Sequence, residues 1–173
     1  DLSICQYGKH IDGIGSMGIA FVTLGQKGGV INLSESGLLY LSRSIEIGLE
    51  SLSPGEAVGE LTLDTGSRTD ALALDIQRSM DYYESQLGMA GVGRIIFMPT
   101  NEMLHQVAAD LENKVSAELE VLNLQDNFLI EDENLDVANF CFNAIGAALS
   151  GSEEQQSHTM KGGASGAAVL ATG

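Results

Sequence analysis

Basic side chains are scarce in this sequence: 8 Lys and Arg stand against 24 Asp and Glu, for a formal charge of −16. A surface of that sign repels phosphate backbones and anionic lipid headgroups, which argues against nucleic acid and bare membrane as direct partners. Cysteine is nearly absent. Cys5 and Cys141 lie far apart and lack the local partners that a zinc or thioredoxin-type site needs. Both read as reduced packing residues of a cytosolic protein. No apolar run approaches the roughly 20 residues that span a bilayer, and Asp1 does not open a charged and apolar signal, so no direct membrane insertion is expected. The missing initiator Met leads us to expect a longer protein from which this chain has been cut. His10, His105 and His158 are scattered over loop, helix and tail, and no spacing suggests a Ser/His/Asp or Cys/His set. His105 reads as a partly covered surface residue rather than a ligand or base. Internal repeats and heptads are also lacking. What remains is a chain of 173 residues, the size of one domain with a real core.

The clearest local signal is a helix. Leu72, Ile76, Met80, Tyr83 and Leu87 fall on one face of a 3.6-residue turn, with Asp75, Arg78, Asp81 and Glu84 off it. Thr69 or Asp70 is expected to cap its start and Gly88 to end it. Tyr82 lies off the stripe and reads as an ordinary amphipathic tyrosine, or as the mark of a contact surface.

Before that helix the chain is β-rich. Residues 1–18 are short apolar pieces broken by glycine and read as a remnant of a preceding subdomain or a linker. Ile19 to Leu24 is an apolar run of strand length, as for a strand covered on both faces. Val30 to Glu35 and Leu38 to Ile47 flank Ser36-Gly37, a two-residue hairpin signal, so a three-stranded antiparallel meander is expected. Gly48 to Ser67 reads as a loop, with a short extended piece at Glu60 to Leu63. After the helix, Arg94 to Met98 is a further apolar strand stopped by Pro99. Asn101 is expected to cap a second helix whose face holds Leu104, Val107, Ala108, Leu111 and Val115. Leu119, Val121, Leu122 and Leu124 mark a short strand, Glu131 to Glu133 a solvated loop, and Leu135 to Leu149 a third helix with Ala138, Cys141, Ala144, Ile145 and Ala148 on its apolar face. Residues 151–173 are rich in Ser, Gln, Gly and Ala and read as a flexible tail, a composition that an appended expression sequence shares. The domain proper is 19–150. Its order, β-β-β-α-β-α-β-α, builds a mixed sheet with helices on its faces.

Two short motifs are weaker than they look. Asp64-Thr65-Gly66-Ser67 matches the aspartic protease turn, in which two carboxylates share a proton. Here no second copy is present, so only a homodimer could supply the partner. The motif also runs towards a helix rather than into β structure. Gly13-Ile14-Gly15-Ser16-Met17-Gly18 fits G-x-G-x-x-G, but a strand follows it where pyrophosphate binding needs a helix. Met80, Met89, Met98 and Met103 read as core gap-fillers.

The helix Gln77-Arg78-Ser79-Met80-Asp81-Tyr82-Tyr83-Glu84-Ser85-Gln86-Leu87 and the closing Asn143-Ala144-Ile145-Gly146-Ala147-Ala148-Leu149 resemble the PilM family of type IV pilus assembly proteins. Within it they look closest to the MshI branch, which serves mannose-sensitive haemagglutinin (MSHA) pili. The resemblance runs from Ile19 to Leu149. It implies a ribonuclease H-like α/β fold, βββαβαβα, forming half of an actin-like ATPase fold. It further implies a cytoplasmic scaffold held at the bacterial inner membrane through partners. These would be other pilus assembly proteins, among them the cytoplasmic tail of an inner-membrane pilus protein, with a homodimer as a further expectation. Actin-like ATPases carry an Asp-x-Gly after the unit's first strand. Thr23-Leu24-Gly25 stands there, and Thr cannot give Mg²⁺ a negative ligand. A Gly-Gly turn of the family is replaced by Met98-Pro99-Thr100-Asn101. The resemblance therefore implies a vestigial nucleotide site at Thr23, Gly25, Thr100 and Asn101, with no cofactor, no metal and no catalytic residue. The alternatives are an active ATPase that takes ATP and Mg²⁺ in the full-length protein and, more remotely, a dimeric aspartic protease using Asp64.

Overall fold

A computed structural model describes residues 4, 7, 17–53, 65–98, 100–127, 130, 131, 134 and 141–148. Strand β1 (Gly18–Leu24) pairs antiparallel with β2 (Gly29–Glu35), which pairs antiparallel with β3 (Leu38–Ile45). On its other side β1 pairs parallel with β4 (Val92–Met98), and β4 with β5 (Glu118–Val121). The order β3-β2-β1-β4-β5 is the ribonuclease H-like sheet that the sequence leads one to expect. Helices α1 (Leu49–Leu52) and α2 (Thr65–Leu87) lie between β3 and β4, α3 (Glu102–Leu111) joins β4 to β5, α4 (Leu124–Asn127) follows β5, and residues 142–148 are helical.

Period-2 alternation along β1 splits its side chains between two cores. Ala20, Val22 and Leu24 meet Ile31, Leu33, Ile95 and Phe97 under Leu72, Ile76, Met80 and Tyr83 of α2 and Leu104, Val107 and Leu111 of α3. Ile19 and Phe21 face the other way, with Ile96 and Met98, against Ile4, Tyr7, Leu122, Leu124 and Phe142. This double cover is why β1 reads as an unbroken apolar run. Met80 and Met98 are buried, and Met89 and Met103 pack against the first core, as gap-fillers should.

Several local expectations are met in detail. Ser36 and Gly37 both have positive φ, 53° and 77°, the signature of the type I′ turn whose twist suits a two-residue hairpin. Gly88 ends α2 at φ 66°. The Asn101 side chain accepts a hydrogen bond from the Leu104 N–H at 2.8 Å, capping α3.

Others are corrected. Neither Thr69 nor Asp70 caps α2, because the helix already starts at Thr65. Thr69 is buried within it, and the Asp70 carboxylate instead takes Lys114 Nζ at 2.6 Å. Leu87, at the end of the stripe, is exposed. Val115 lies beyond the end of α3 but still packs on the first core. Leu122 and Leu124 fall outside β5, yet both are buried in the second core, and the Leu122 N–H still reaches the Phe97 carbonyl at 2.8 Å. The face of the last helix is turned from the expected one: Phe142 is buried and Ile145 partly so, while Cys141, Ala144 and Ala148 are exposed. A phenyl ring removes far more area from water than an alanine methyl, so it sets the rotation. Cys141 is thus an exposed free thiol rather than a packing residue. The expected extended piece at 60–63, the Asp132–Glu133 part of the acidic loop, residues 135–140, the tail 151–173, Cys5, His10, His158, Pro99 and most of 1–18 lie outside the described residues.

Helix α1 is absent from the sequence reading because its cause is not local. Its free N-terminal donors are met by carbonyls of the β1–β2 turn: Leu49 N–H to Gly25 O and Glu50 N–H to Gln26 O, both 2.9 Å. The approach is so close that a Cβ at Gly48 would stand 2.4 Å from Gln26 O and from Gly28 N. Only glycine fits there.

Two measurements test these packing arguments. Gly37→Ala forces a Cβ into the left-handed region and is expected to cost about 1–2 kcal/mol in urea denaturation, whereas Ser36→Asn leaves stability unchanged or slightly raised. Tyr7, whose hydroxyl donates to the Phe142 carbonyl, has its phenol pushed by burial from 10.0 to about 12, against a smaller opposing pull from a backbone hydrogen bond. Below pH 10 the group is neutral folded and unfolded and adds no pH dependence. Between about 10 and about 12 the unfolded chain releases the proton while the folded chain holds it, so stability falls as pH rises. Tyr7→Phe is expected to lose about 1 kcal/mol at neutral pH and to flatten part of that alkaline slope. Tyr83, also raised by burial and then by the Glu35 carboxylate, keeps the remainder.

Candidate functional site at the carboxyl ends of the parallel strands

β1 and β4 run parallel, and the chain leaves their carboxyl ends in different directions, into the hairpin turn after Leu24 and into α3 after Met98. Such a divergence opens a crevice, the usual ligand position on an open α/β sheet. A cleft of about 510 Å³ occupies this end, lined by Gln26, Leu49, Glu50, Ser53, Asn101 and Met103.

Gly25, Asn101 and Thr100 gather around this end, but their polar groups are already engaged. The Gly25 N–H donates to Gly28 O at 2.8 Å and its carbonyl accepts from Leu49. Asn101 Oδ1 is committed to the α3 cap, and Thr100 Oγ1 lies 3.3 Å from Nε2 of the exposed His105. Of the residues named from sequence, only Asn101 lines the cleft itself.

Thr23 differs. It is paired with Val30 and Met98 and alternates with the inward-facing Phe21, so it projects to the face away from α2 and α3. Its Oγ1 is buried without a hydrogen-bond partner, and so are both side-chain polar atoms of Asn32, which is 0% exposed. Asn32 stands opposite Phe21 in register, on the same face and diagonal to Thr23. The buried Thr23 hydroxyl oxygen and the buried Asn32 amide thus lie near each other on this face of β1 and β2. An unpaired buried amide costs roughly 1–3 kcal/mol.

The electrostatics of the cleft do not favour a polyphosphate. The N-terminus of α3 offers a partial positive charge, but Glu102 occupies its first turn. Among the described residues Glu50 is the charged side chain lining the cleft, and no Lys or Arg joins it there. Gln26 and Ser53 supply neutral donors and acceptors. Among the described residues, no three His, Cys, Asp or Glu come together in a way that could hold a metal ion, and no helix is long and apolar enough to cross a membrane. Asp64 lies outside the described residues, and the residue after it begins α2.

Sequence reading missed Asn32 because Ile31-Asn32-Leu33-Ser34 alternates like a half-exposed strand. The face it assigns to water is covered. It also missed Gln26, Leu49, Glu50, Ser53 and Met103, which meet only through the docking of α1 on the hairpin turn.

No family model matches the chain, and no curated protein does. Among solved structures it is similar to a chain of the PilM–PilN type IV pilus biogenesis complex, at 17% identity and a TM-score of 0.59, over 87% of this chain and 50% of that one. It also matches, at 13% identity and a TM-score of 0.43, a Bacteroides thetaiotaomicron protein with actin-like ATPase fold and unknown function, over 70% of this chain and 38% of that one. The first shows a shared fold, of which this chain spans about half the length.

If Asn32 is buried without a ligand to satisfy it, Asn32→Leu is expected to leave stability unchanged or raise it by about 1 kcal/mol, since an apolar side chain of similar size carries no desolvation cost. A loss above about 2 kcal/mol in urea denaturation would mean that the amide has a partner in the folded protein.

Proposed function

We propose that the chain is part of a cytoplasmic scaffold of type IV pilus biogenesis, of the MshI branch that serves MSHA pili. In this reading it acts through protein–protein contacts at the inner membrane and not by catalysis. Its partners are other pilus assembly proteins, including the cytoplasmic tail of an inner-membrane pilus protein, and two copies associate as a homodimer. The pilus reading is supported by the PilM–PilN fold match together with the resemblance carried by the helix around Ser79 and by the closing 143–149 segment. In this view residues 19–150 form the domain, with Ile4 and Tyr7 of the preceding stretch packed into its second core.

The observation that carries the non-enzymatic part is Thr23. An actin-like unit that hydrolyses ATP needs a carboxylate at the end of its first strand, and a buried neutral hydroxyl stands there. The backbone of Gly25 is spent on the β1–β2 turn and on α1, and among the described residues the neighbouring cleft is lined by an acid without a cation. Nucleotide binding at Thr23, Gly25, Thr100 and Asn101 is accordingly vestigial.

Titration calorimetry of the full-length protein with Mg-ATP is expected to give no saturable heat, that is, a Kd weaker than about 1 mM. Deleting its gene in the bacterium that carries it is expected to abolish surface pili. Saturable, Mg-dependent binding lost on Gly25→Val would replace the scaffold by an ATPase, and intact piliation would remove the pilus assignment.

A further inference from the structure

The sheet is asymmetric in how its edges are guarded. β5 is short and carries Glu118 and Glu120, the latter paired with Arg94. β3 is the opposite edge, and among the described residues it pairs with β2 alone. Edge strands are normally blunted by Pro, by Lys or by an inward charge, and Leu38–Ile45 contains neither Pro nor Lys. Its one charge, Arg43, is turned to Asp75 of α2 at 3.7 Å. A register shift between Leu33 and Ser34 is the single guard, and it leaves Tyr40 as the extra residue between Leu39 and Leu41.

The hairpin end of this edge is apolar and pre-set. Leu38 is 62% exposed and Tyr40 41%. The Tyr40 ring packs edge-on against Tyr83, with centroids 6.0 Å apart and planes at 83°. The Tyr83 hydroxyl is itself held by Glu35 Oε2 at 3.1 Å. An aromatic ring fixed before binding loses little entropy when it is covered. This end lies away from the cleft, since the hairpin tip and the Gly29–Ile45 pair are at opposite ends of β2 and β3.

We propose that the outer edge of β3, anchored by Leu38 and Tyr40, receives an extended, basic strand from a partner protein, which adds to the sheet by backbone hydrogen bonds. Backbone pairing supplies the affinity of such strand addition, and alternate side chains supply the selection. The charge of the occupant follows from its surroundings. Glu35 stands opposite Leu38 in register, Glu46 follows the strand, and the chain carries −16 in all. A second copy of this chain would bring the same sign onto the same edge, whereas Lys or Arg flanking apolar residues matches it. This surface goes beyond the scaffold reading and does not use the cleft.

The test uses the whole 173-residue chain and three synthetic peptides: one alternating Val or Ile with Lys, the same sequence with Glu for Lys, and the basic one with a central Pro. Fluorescence anisotropy is expected to show saturable binding of the first, weakened at least about tenfold by the Glu or Pro change and by Leu38→Lys or Tyr40→Ser in the protein. Hydrogen exchange is expected to show added protection of the β3 amides of residues 39–44. Equal binding of all three peptides, protection elsewhere than β3, or binding indifferent to both protein variants overturns the proposal. So does a concentration-dependent dimer that protects those amides without peptide, since a second copy then occupies the edge. Intact piliation after gene deletion, with peptide binding retained, would remove the scaffold reading alone.

Discussion

Everything in the structure depends on β1 being covered on both faces. A strand that places Ala20, Val22 and Leu24 in one core and Ile19 and Phe21 in another has no solvent face. It must therefore sit inside the sheet, with neighbours on both edges. One edge is filled by the β2 hairpin, which only an antiparallel partner can make through a short turn. The other is filled by β4, reached over a helical crossover and therefore parallel. The mixed sheet and the helices on its faces follow from that one position. So does the cleft, because a parallel neighbour puts two carboxyl ends side by side where the chain has to part.

That constraint was legible from residues 19–24 alone, and so were the elements whose causes are local. Ser36-Gly37 needed only its own backbone preferences to announce a hairpin, and Asn101 its own side chain to announce a cap. The stripe on α2 was legible over most of its length, although the helix began earlier than any capping signal suggested. What could not be read was set by distant partners. Helix α1 exists because carbonyls of the β1–β2 turn accept its free donors, and no pattern within Leu49–Leu52 says so. The burial of Asn32 depends on what covers the far face of the sheet. The rotation of the last helix depends on where Phe142 finds a hydrophobic floor. Thus the scaffold of the site could be derived from sequence, while the lining of the cleft could not.

The two ends of the sheet have been given opposite chemistry. At the cleft end the backbone is consumed internally: Gly25 and Gln26 hand their carbonyls to α1, and Asn101 closes the first turn of α3. Few free donors remain for an anion, and Glu50 opposes one. At the β2–β3 hairpin end apolar side chains are exposed, and the one charge of the strand edge beside them, Arg43, is turned to Asp75. Free backbone groups and oriented rings belong to recognition of another chain. Internally satisfied backbone belongs to rigidity. The cleft end keeps its backbone groups paired internally, and among the described residues the outer edge of β3 leaves its own unpaired.

Thr23 and Asn32 sharpen that contrast. A buried carboxylate at Thr23 would have to find a cation or shift its proton, and the Asn32 amide diagonal to it offers one donor group and one acceptor. A hydroxyl carries no charge but leaves three polar atoms on this stretch of the face without partners. Such a group destabilises the fold and is tolerated only because the cores on both faces of β1 bury so many large side chains around it. A charged site at this position is therefore not what holds the sheet together. The strand is held there without a metal-binding acid, by the cores packed on its two faces.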